Sequence, residues 1–457
     1  MVKSRCFKGV AAAVLLLFVG AIFVHGQTGA PRTEHVIMIS IDGMPPDYYD
    51  APEKFGLKAP IMTSLKRGGA YAEGVEGIYP TVTYPLHTTL VTGLRPAVHG
   101  IVQNRIFEPP TDPQTRAWYW YAKDLKTDTL WTLAKKAGLS TAAVGWPVTV
   151  GAEIDYNVPE IYEPGTGTQN WGWIAKNSTP GLIEKALGPD GKKNSTVDEK
   201  LTSVSEYNIK SHRPNLLLVH LIELDGTHHQ YGPRTAQAIE TAQREDAFIG
   251  RIVEATRQAG IFEKTTFFIV SDHGFSKISQ RIAPNVALAK EQLITLDSTG
   301  KATSWKAAAW PSSGSCAILL KDPQDKETEA KVISIFTKWA KQPNSPIKKV
   351  FTRDELRRMG ATPQAVIMLE AAPGYTFDEA LTGPEIRDSG EAYKGTHGFL
   401  PTNPEMHSSL IIYGAGARNG AKMTLARMVD IAPTAAMLLN LKLTQTEGKP
   451  LNNLIKQ

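Results

Sequence analysis

The sequence predicts an α/β fold: a mostly parallel central sheet flanked by helices, with inserted cap segments. Three observations carry this. Five short apolar runs, His35–Ile41, Leu139–Val144, Asn215–Leu221, Thr265–Ser271 and Ser408–Tyr413, are mostly rich in Val, Ile, Leu or Phe without clear alternation. That is the pattern of parallel strands covered on both faces. Stretches with helical spacing fall between them, which argues for a parallel sheet. Asp42, Asp225 and Asp272 each stand at or just past the end of such a run, and ligands of open parallel sheets gather beyond the carboxyl ends of the strands.

The first element is an export signal rather than part of the fold. Lys3, Arg5 and Lys8 precede an apolar run of 15 residues, Val10 to Val24, which is short for a membrane span. Val24 and Gly26 supply the small side chains a signal peptidase requires, so residues 1–26 read as a signal peptide cleaved after Gly26. A retained N-terminal anchor is the alternative. Removing this segment removes three positive charges and no negative ones, taking the formal charge from +5 to +2. A nearly neutral mature chain gives no electrostatic case for polymeric nucleic acid. Cys6 lies in the signal and Cys316 is then the lone cysteine, so no intrachain disulfide can form. Stability must come from the core, for which a chain of 457 residues, 42% of them hydrophobic, is ample. The expected product is a periplasmic or secreted catalytic domain, residues 27–457, with no stable membrane span.

Among the helices, Thr129–Ala137 ends at Gly138, a suitable residue for the position after a helix. Arg234–Ala259 places Ala238, Ala242, Ile249, Ile252, Val253 and Thr256 on one face and stops at Gly260. Two segments interrupt the rhythm. Residues 106–213 contain one strand-helix-strand stretch and an irregular Gly/Pro/Trp-rich passage, and residues 277–394 separate Asp272-His273 from His397. Both are expected to be insertions that roof the site. The aromatic cluster Trp118–Tyr121 reads as core or cap packing, with a binding patch as the alternative. No internal repeat is present.

Six Asp and His residues could converge at the strand ends: Asp42, Asp225, His229, Asp272, His273 and His397. They are ligand types that suit zinc. An isolated aspartate after a strand is usually a turn or helix cap; three of them, each beside Gly or His, favour metal. Asp225 and His229 are four apart and would share a helix face, although Tyr231-Gly232-Pro233 suggests a loop. His228 competes with His229 at this point. Thr83 is the candidate nucleophile. A threonine hydroxyl must be deprotonated to react, and a metal can do this without a base. Pro85 suits the first turn of a helix, which would put Thr83 or Tyr84 at its N-terminus, where anionic phosphoryl groups are favoured. No G-x-S-x-G segment points to a serine triad.

These residues lie in the stretches VIMISIDGM, YPTVTYPLHTTLVTGLRPAVHGIVQN, ELDGTHHQYGP, VSDHGF and THGF, with MVDIAPTAAMLLNL and GKPL near the C-terminus. Together they resemble the nucleotide pyrophosphatase/phosphodiesterase (type I phosphodiesterase) family of the alkaline phosphatase superfamily, over nearly all of residues 34–452. The resemblance implies an alkaline-phosphatase-like fold and two divalent metal ions, with zinc the expected metal. It assigns Asp42, Thr83, Asp272 and His273 to one ion and Asp225, His229 and His397 to the other. It also implies a covalent phospho-threonine intermediate on Thr83, with Asn104 and the Thr83 N–H donating to the phosphate. Tyr84, Asn104, Trp146 and Tyr162 would contact a small phosphodiester substrate. The chain departs from the family at Val82, Leu86 and Gly165, where a lysine, an asparagine and a base-stacking tyrosine are often found. A nucleotide phosphodiesterase is therefore the first reading. A phospholipid or head-group phosphodiesterase of the same family is the second. A catalytically silent metal-binding or partner-binding protein is the third.

Overall fold

The computed structural model describes residues 33–456 apart from 164 and 166–168; the expected signal peptide lies outside the described residues. The central sheet has nine strands. Its principal members are β1 (His35–Ile41), β2 (Ala70–Glu76), β3 (Thr141–Val144), β4 (Tyr156–Val158), β5 (Leu216–Leu221) and β6 (Thr265–Val270). Across the sheet the order is Lys422–Met423, β2, Ser408–Gly414, β6, β1, β5, β3, β4, with Ala426–Arg427 also on β2.

β1 pairs in parallel with β5 and β6, and β3 pairs in parallel with β4 and β5. One strand departs from the sequence reading. Ser408–Gly414, expected to be parallel, runs antiparallel to both β6 and β2. It is apolar for the same reason as its neighbours, burial on both faces, and that pattern carries no information about direction.

Every residue of β1, β5 and β6 is buried. Because side chains alternate across a sheet, Ile37, Ile39, Leu217, Val219, Phe267 and Ile269 enter one hydrophobic layer, with Ile249 and Ile252 of the helix Ala236–Gln258. Val36, Met38, Leu216, Leu218, Phe268 and Val270 enter the other, with Leu86, Leu90 and Val91 of the helix Thr83–Thr92. Each fully buried side chain of this size contributes roughly 1.5–3 kcal/mol, so both faces of the sheet are anchored. The helix Leu130–Lys136 is closed at its start by a capping box between Thr129 and Thr132. Cys316 is buried and free.

Within residues 277–394 a separate four-stranded antiparallel sheet forms, in the order Ala307–Ser312, Ser315–Leu320, Ile367–Ala371, Ile347–Thr352. The helices Lys326–Ala340 and Arg353–Met359 belong to the same segment. The chain comes back to the central sheet through the short strand Gly395–Thr396, which pairs with Ser276-Lys277 and delivers His397.

Candidate active site

Strand register sets the site. Ser40 pairs with Val270 and Ile41 with Leu221, so the chain leaves β1, β5 and β6 at one level. Asp42 follows β1 directly, Asp272 lies two residues past β6, and Asp225 lies in the helix Glu223–Tyr231 that follows β5. That segment is helical rather than the loop its Tyr-Gly-Pro ending suggested. Gly232, at φ +88°, ends the helix without breaking it earlier. One helical turn therefore puts Asp225 and His229 on the same face, with His229 Nε2 3.5 Å from Asp225 Oδ2. His228 points elsewhere: its Nε2 meets the Tyr48 hydroxyl at 3.0 Å.

The six side chains form two adjoining ligand groups. Ligand atoms of Asp225, His229 and His397 lie within 4.8 Å of one another, and so do those of Asp42, Asp225 and His273. Asp272 joins the second group, its Oδ2 3.1 Å from His273 Nε2. Each histidine is oriented from behind. The Nδ1–H groups of His229, His273 and His397 donate to the carbonyl oxygens of Gly395, Gly274 and Thr81 at 2.9, 3.1 and 2.9 Å. Nε2 is thereby left with its lone pair facing the site, the arrangement metal-binding histidines use. Asp42 Oδ1, Asp225 Oδ1 and Asp272 Oδ2 are buried and, among the described residues, accept no hydrogen bond. Orphaned carboxylate oxygens and imidazole lone pairs facing one another are a donor set that a divalent cation satisfies.

Electrostatics agree. Burial raises the carboxyls of Asp42 and Asp225, and raises that of Asp272 to about 7. Burial also drives His273 well down, and His397 down to about 3. Each of these shifts favours the neutral form, the effect of burial in a low-dielectric pocket; His220 goes the other way, burial lowering it but its contacts with Asp42 and Glu160 raising it well above the ordinary range. A cation of charge two reverses that preference.

Thr83 is the first residue of its helix, and its Oγ1 lies 3.5 Å from His273 Nε2. The first turn has few free donors. Tyr84 N–H donates to Asn104 Oδ1 at 2.8 Å, Pro85 has none, and Leu86 N–H donates to Val82 O. The Thr83 N–H has no protein acceptor among the described residues, so it is the orphan donor at this terminus. Asn104, held through Oδ1, keeps its amide NH2 for the cavity it lines. Gly43 is required twice: φ is +69°, and a Cβ there would stand 2.8 Å from Phe275 Cε2. Its N–H donates to Asp272 Oδ1 at 3.0 Å and fixes that carboxylate.

The residues open into a cavity of about 580 Å³. Asp42, Thr83, Asn104, Asp225, His229 and His397 line its floor; Arg105, Arg116, Trp118, Glu160, Tyr162, Arg281, Phe377 and Tyr393 are among its walls. Two expected substrate contacts are elsewhere. Tyr84 is wholly buried, its ring packed 5.1 Å from Trp118. Trp146 is wholly buried against His87 at 4.9 Å. Both are large apolar rings close behind the site, and the core takes them. Trp118, read from sequence as packing, instead stands beside Tyr162 at 5.1 Å on the cavity wall. Leu86 points into the core beneath Gly77, so its departure from the family pattern does not alter the cavity. Val82 does line it. Gly165 is exposed with φ +80° and brings no ring to the wall.

Sequence reasoning missed His220 and Glu160. His220 is buried next to the C-terminal end of β5, where Nε2 meets Asp42 Oδ2 at 3.1 Å and Nδ1 meets Glu160 Oε2 at 3.1 Å. Glu160 Oε1 in turn accepts the Tyr162 hydroxyl at 2.6 Å. The signal was present: a histidine inside the otherwise apolar LLLVHL must have partners if that run is a buried strand. His87 was also missed; its Nδ1–H donates to Thr83 O at 2.9 Å and its Nε2 meets Ser40 Oγ at 2.9 Å.

Comparison with known proteins follows the same lines. Human ectonucleotide pyrophosphatase/phosphodiesterase family member 1 is 26% identical over 259 residues, covering 54% of this chain and 24% of that protein. The venom phosphodiesterase of Macrovipera lebetinus is 22% identical over 437 residues, covering 92% of this chain and 45% of that protein. The chain thus spans about a quarter of the length of the first relative and under half of the second. Among solved structures, human ectonucleotide pyrophosphatase/phosphodiesterase 5 superimposes with a TM-score of 0.67 at 19% identity, over 93% of this chain and all of that one. The murine protein, in an inactive form complexed with AMP, gives 0.66. These likenesses show the alkaline-phosphatase-like fold. The sequence profile described as type I phosphodiesterase/nucleotide pyrophosphatase matches residues 36–400, and the chain belongs to that family.

Proposed function

We propose that this protein is a phosphodiesterase/nucleotide pyrophosphatase that works through a covalent phospho-threonine intermediate on Thr83. One observation carries the reading: two adjoining groups of Asp and His ligand atoms, with orphaned buried oxygens, lie beside a threonine hydroxyl at a helix N-terminus. Asp42, Asp272, His273 and Thr83 Oγ1 would hold one divalent ion and Asp225, His229 and His397 the other. Three imidazoles with three carboxylates suit zinc. Bound metal supplies Lewis acidity, lowering the pKa of a hydroxyl and offsetting charge on phosphoryl oxygens.

The chain's own groups do the rest. Thr83 Oγ1 attacks phosphorus in line and the P–O bond to the leaving group breaks. Water then cleaves the threonine ester and restores the hydroxyl. The Thr83 N–H and the Asn104 amide donate to a non-bridging oxygen, where charge builds up. Trp118 and Tyr162 receive a flat group such as a nucleobase, which the AMP complex of the murine relative supports as a ligand class. Residues 1–26 act as an export signal, which places the enzyme in the periplasm or outside the cell; among the described residues no helix is long and apolar enough to cross a membrane.

The test is hydrolysis of a p-nitrophenyl nucleoside monophosphate ester against p-nitrophenyl phosphate and a choline phosphodiester, with zinc present. The nucleotide diester is expected to turn over fastest, and Thr83→Ala to lose at least about 10³-fold in kcat. A Thr83→Ala enzyme that keeps its rate removes Thr83 as nucleophile. Preference for the choline ester moves the substrate class to lipid head groups.

A further inference from the structure

Behind the helix that carries Asp225 and His229 lies a second set of carboxyl groups. Asp198, Glu223 and Glu245 come from three helices, Val197–His212, Glu223–Tyr231 and Ala236–Gln258. One oxygen of each lies within 4.8 Å of the other two. Asp198 and Glu245 are wholly buried, and among the described residues neither Glu245 oxygen accepts a hydrogen bond. Asp198 stands at the start of the helix Glu223–Tyr231, where it accepts the Ile222 N–H on both oxygens at 2.9 Å and the Glu223 N–H at 2.7 Å. The cation paired with this set is Arg244, whose Nη2 is 3.8 Å from Glu223 Oε2 and whose side chain is 41% exposed. Thr202, one turn beyond Asp198, also has a buried hydroxyl oxygen without a partner.

Buried carboxylates left without a partner are costly. Either a proton or a cation can join groups this close. A shared proton serves one contact, between Asp198 and Glu245, and leaves the second Glu245 oxygen without a partner; Glu223, which accepts the Asp198 N–H at 3.2 Å and faces Arg244, stays outside that contact. A cation serves all three. We propose that Asp198, Glu223 and Glu245 hold a hard divalent cation of the calcium or magnesium class, separate from the catalytic metals. The ligands are oxygen alone, with no imidazole or thiolate to favour zinc. Glu223 stands two residues before Asp225 in the same helix, so the cation would tie that helix to its two neighbours. The proposal does not depend on the catalytic reading.

The full chain, purified with zinc and stripped of alkaline-earth ions, is titrated with CaCl2 and separately with MgCl2 while Tm is followed. Bound ions are counted by elemental analysis after gel filtration. One of the two salts is expected to raise Tm by several degrees and to leave one ion per chain. Glu245→Gln is expected to lose both the shift and the ion; Asp225→Asn is expected to keep them. Asp198→Asn is read in the same way should Glu245→Gln fail to fold, and the ion count on the unmodified chain needs no variant. The proposal is overturned by absence of shift and ion with both salts, by a response that survives in Glu245→Gln, or by one that vanishes in Asp225→Asn. A Glu245→Gln chain that is more stable than its parent, with no cation response in either, identifies a shared proton and likewise overturns it.

Discussion

The imidazoles of His273 and His397 stack 3.7 Å apart with their planes 11° from parallel. They come from opposite sides of the residue 277–394 segment and from different ligand groups. His273 Nε2 faces Asp42 and Asp272, whereas His397 Nε2 stands 3.7 Å from Asp225 Oδ1. The stack joins the two halves of the site, and each ring is pinned by its Nδ1–H to a carbonyl.

Because each ring supports the other, removing one should disturb both groups. His397→Ala is expected to lose metal and to lower kcat by more than about 10²-fold, since even residues that only orient a ligand cost 10–100-fold. A chelator should abolish activity in the parent chain and lower its Tm, because the ligands are then left buried and unpaired, and added zinc should restore both. Metal analysis beside thermal unfolding checks this; full metal content in His397→Ala would sink it.

His220 ties the candidate ligand Asp42 to Glu160, and through Glu160 to Tyr162 on the cavity wall. His220→Gln is expected to weaken metal affinity and kcat together by about 10–100-fold, leaving the fold intact. Glu160→Gln should affect KM more than kcat, because Glu160 also fixes the Tyr162 hydroxyl. Equal effects of both variants on kcat and KM would show that the chain of contacts does not transmit position.

Trp118 lines the cavity while Tyr84 is buried behind it. Trp118→Ala is therefore expected to raise KM for a nucleotide ester by about 10-fold with a smaller change in kcat, the loss of a stacking wall. Tyr84→Phe should leave KM unchanged. A large KM effect of Tyr84→Phe would put that residue in the substrate site after all.

Glu370 offers a pH test at a residue outside the two candidate ligand groups. It is buried, accepting the Tyr79 hydroxyl at 3.0 Å and the Leu400 N–H at 2.9 Å, and burial raises its pKa from 4.5 to about 7. The folded chain thus holds a proton that the unfolded chain has lost between those two values. Stability from this group is complete below pH 4.5 and declines as pH rises through about 7, by at most on the order of 3 kcal/mol. Glu370→Gln lacks that slope. Its Tm relative to the parent should improve between pH 5 and pH 8; a constant difference would contradict the assignment.

Local pattern made much of this protein legible. His35–Ile41 is a strand as read, and Thr129 caps the Leu130–Lys136 helix that Gly138 follows. The glycines of the turns and the apolar strands write their demands into adjacent residues, because backbone conformation and two-sided burial act over a few positions. Asp42, Asp272 and Thr83 were visible for the same reason, each beside a strand end or helix start.

Other features depend on residues far apart in the chain, and only the tertiary structure decided them. Ser408–Gly414 runs antiparallel to both its neighbours, a direction its own apolar run does not encode. The helix at Asp225–His229 exists although Tyr-Gly-Pro follows it, because Gly232 can adopt φ +88°. Tyr84 and Trp146 looked like cavity rings and became core, while Trp118 went the other way, since burial is settled by which surfaces meet. His220 acquired its role from Asp42 and Glu160, partners that lie 178 and 60 residues away. A sequence states which groups can ionise, cap or pack; long-range packing determines which of them face one another.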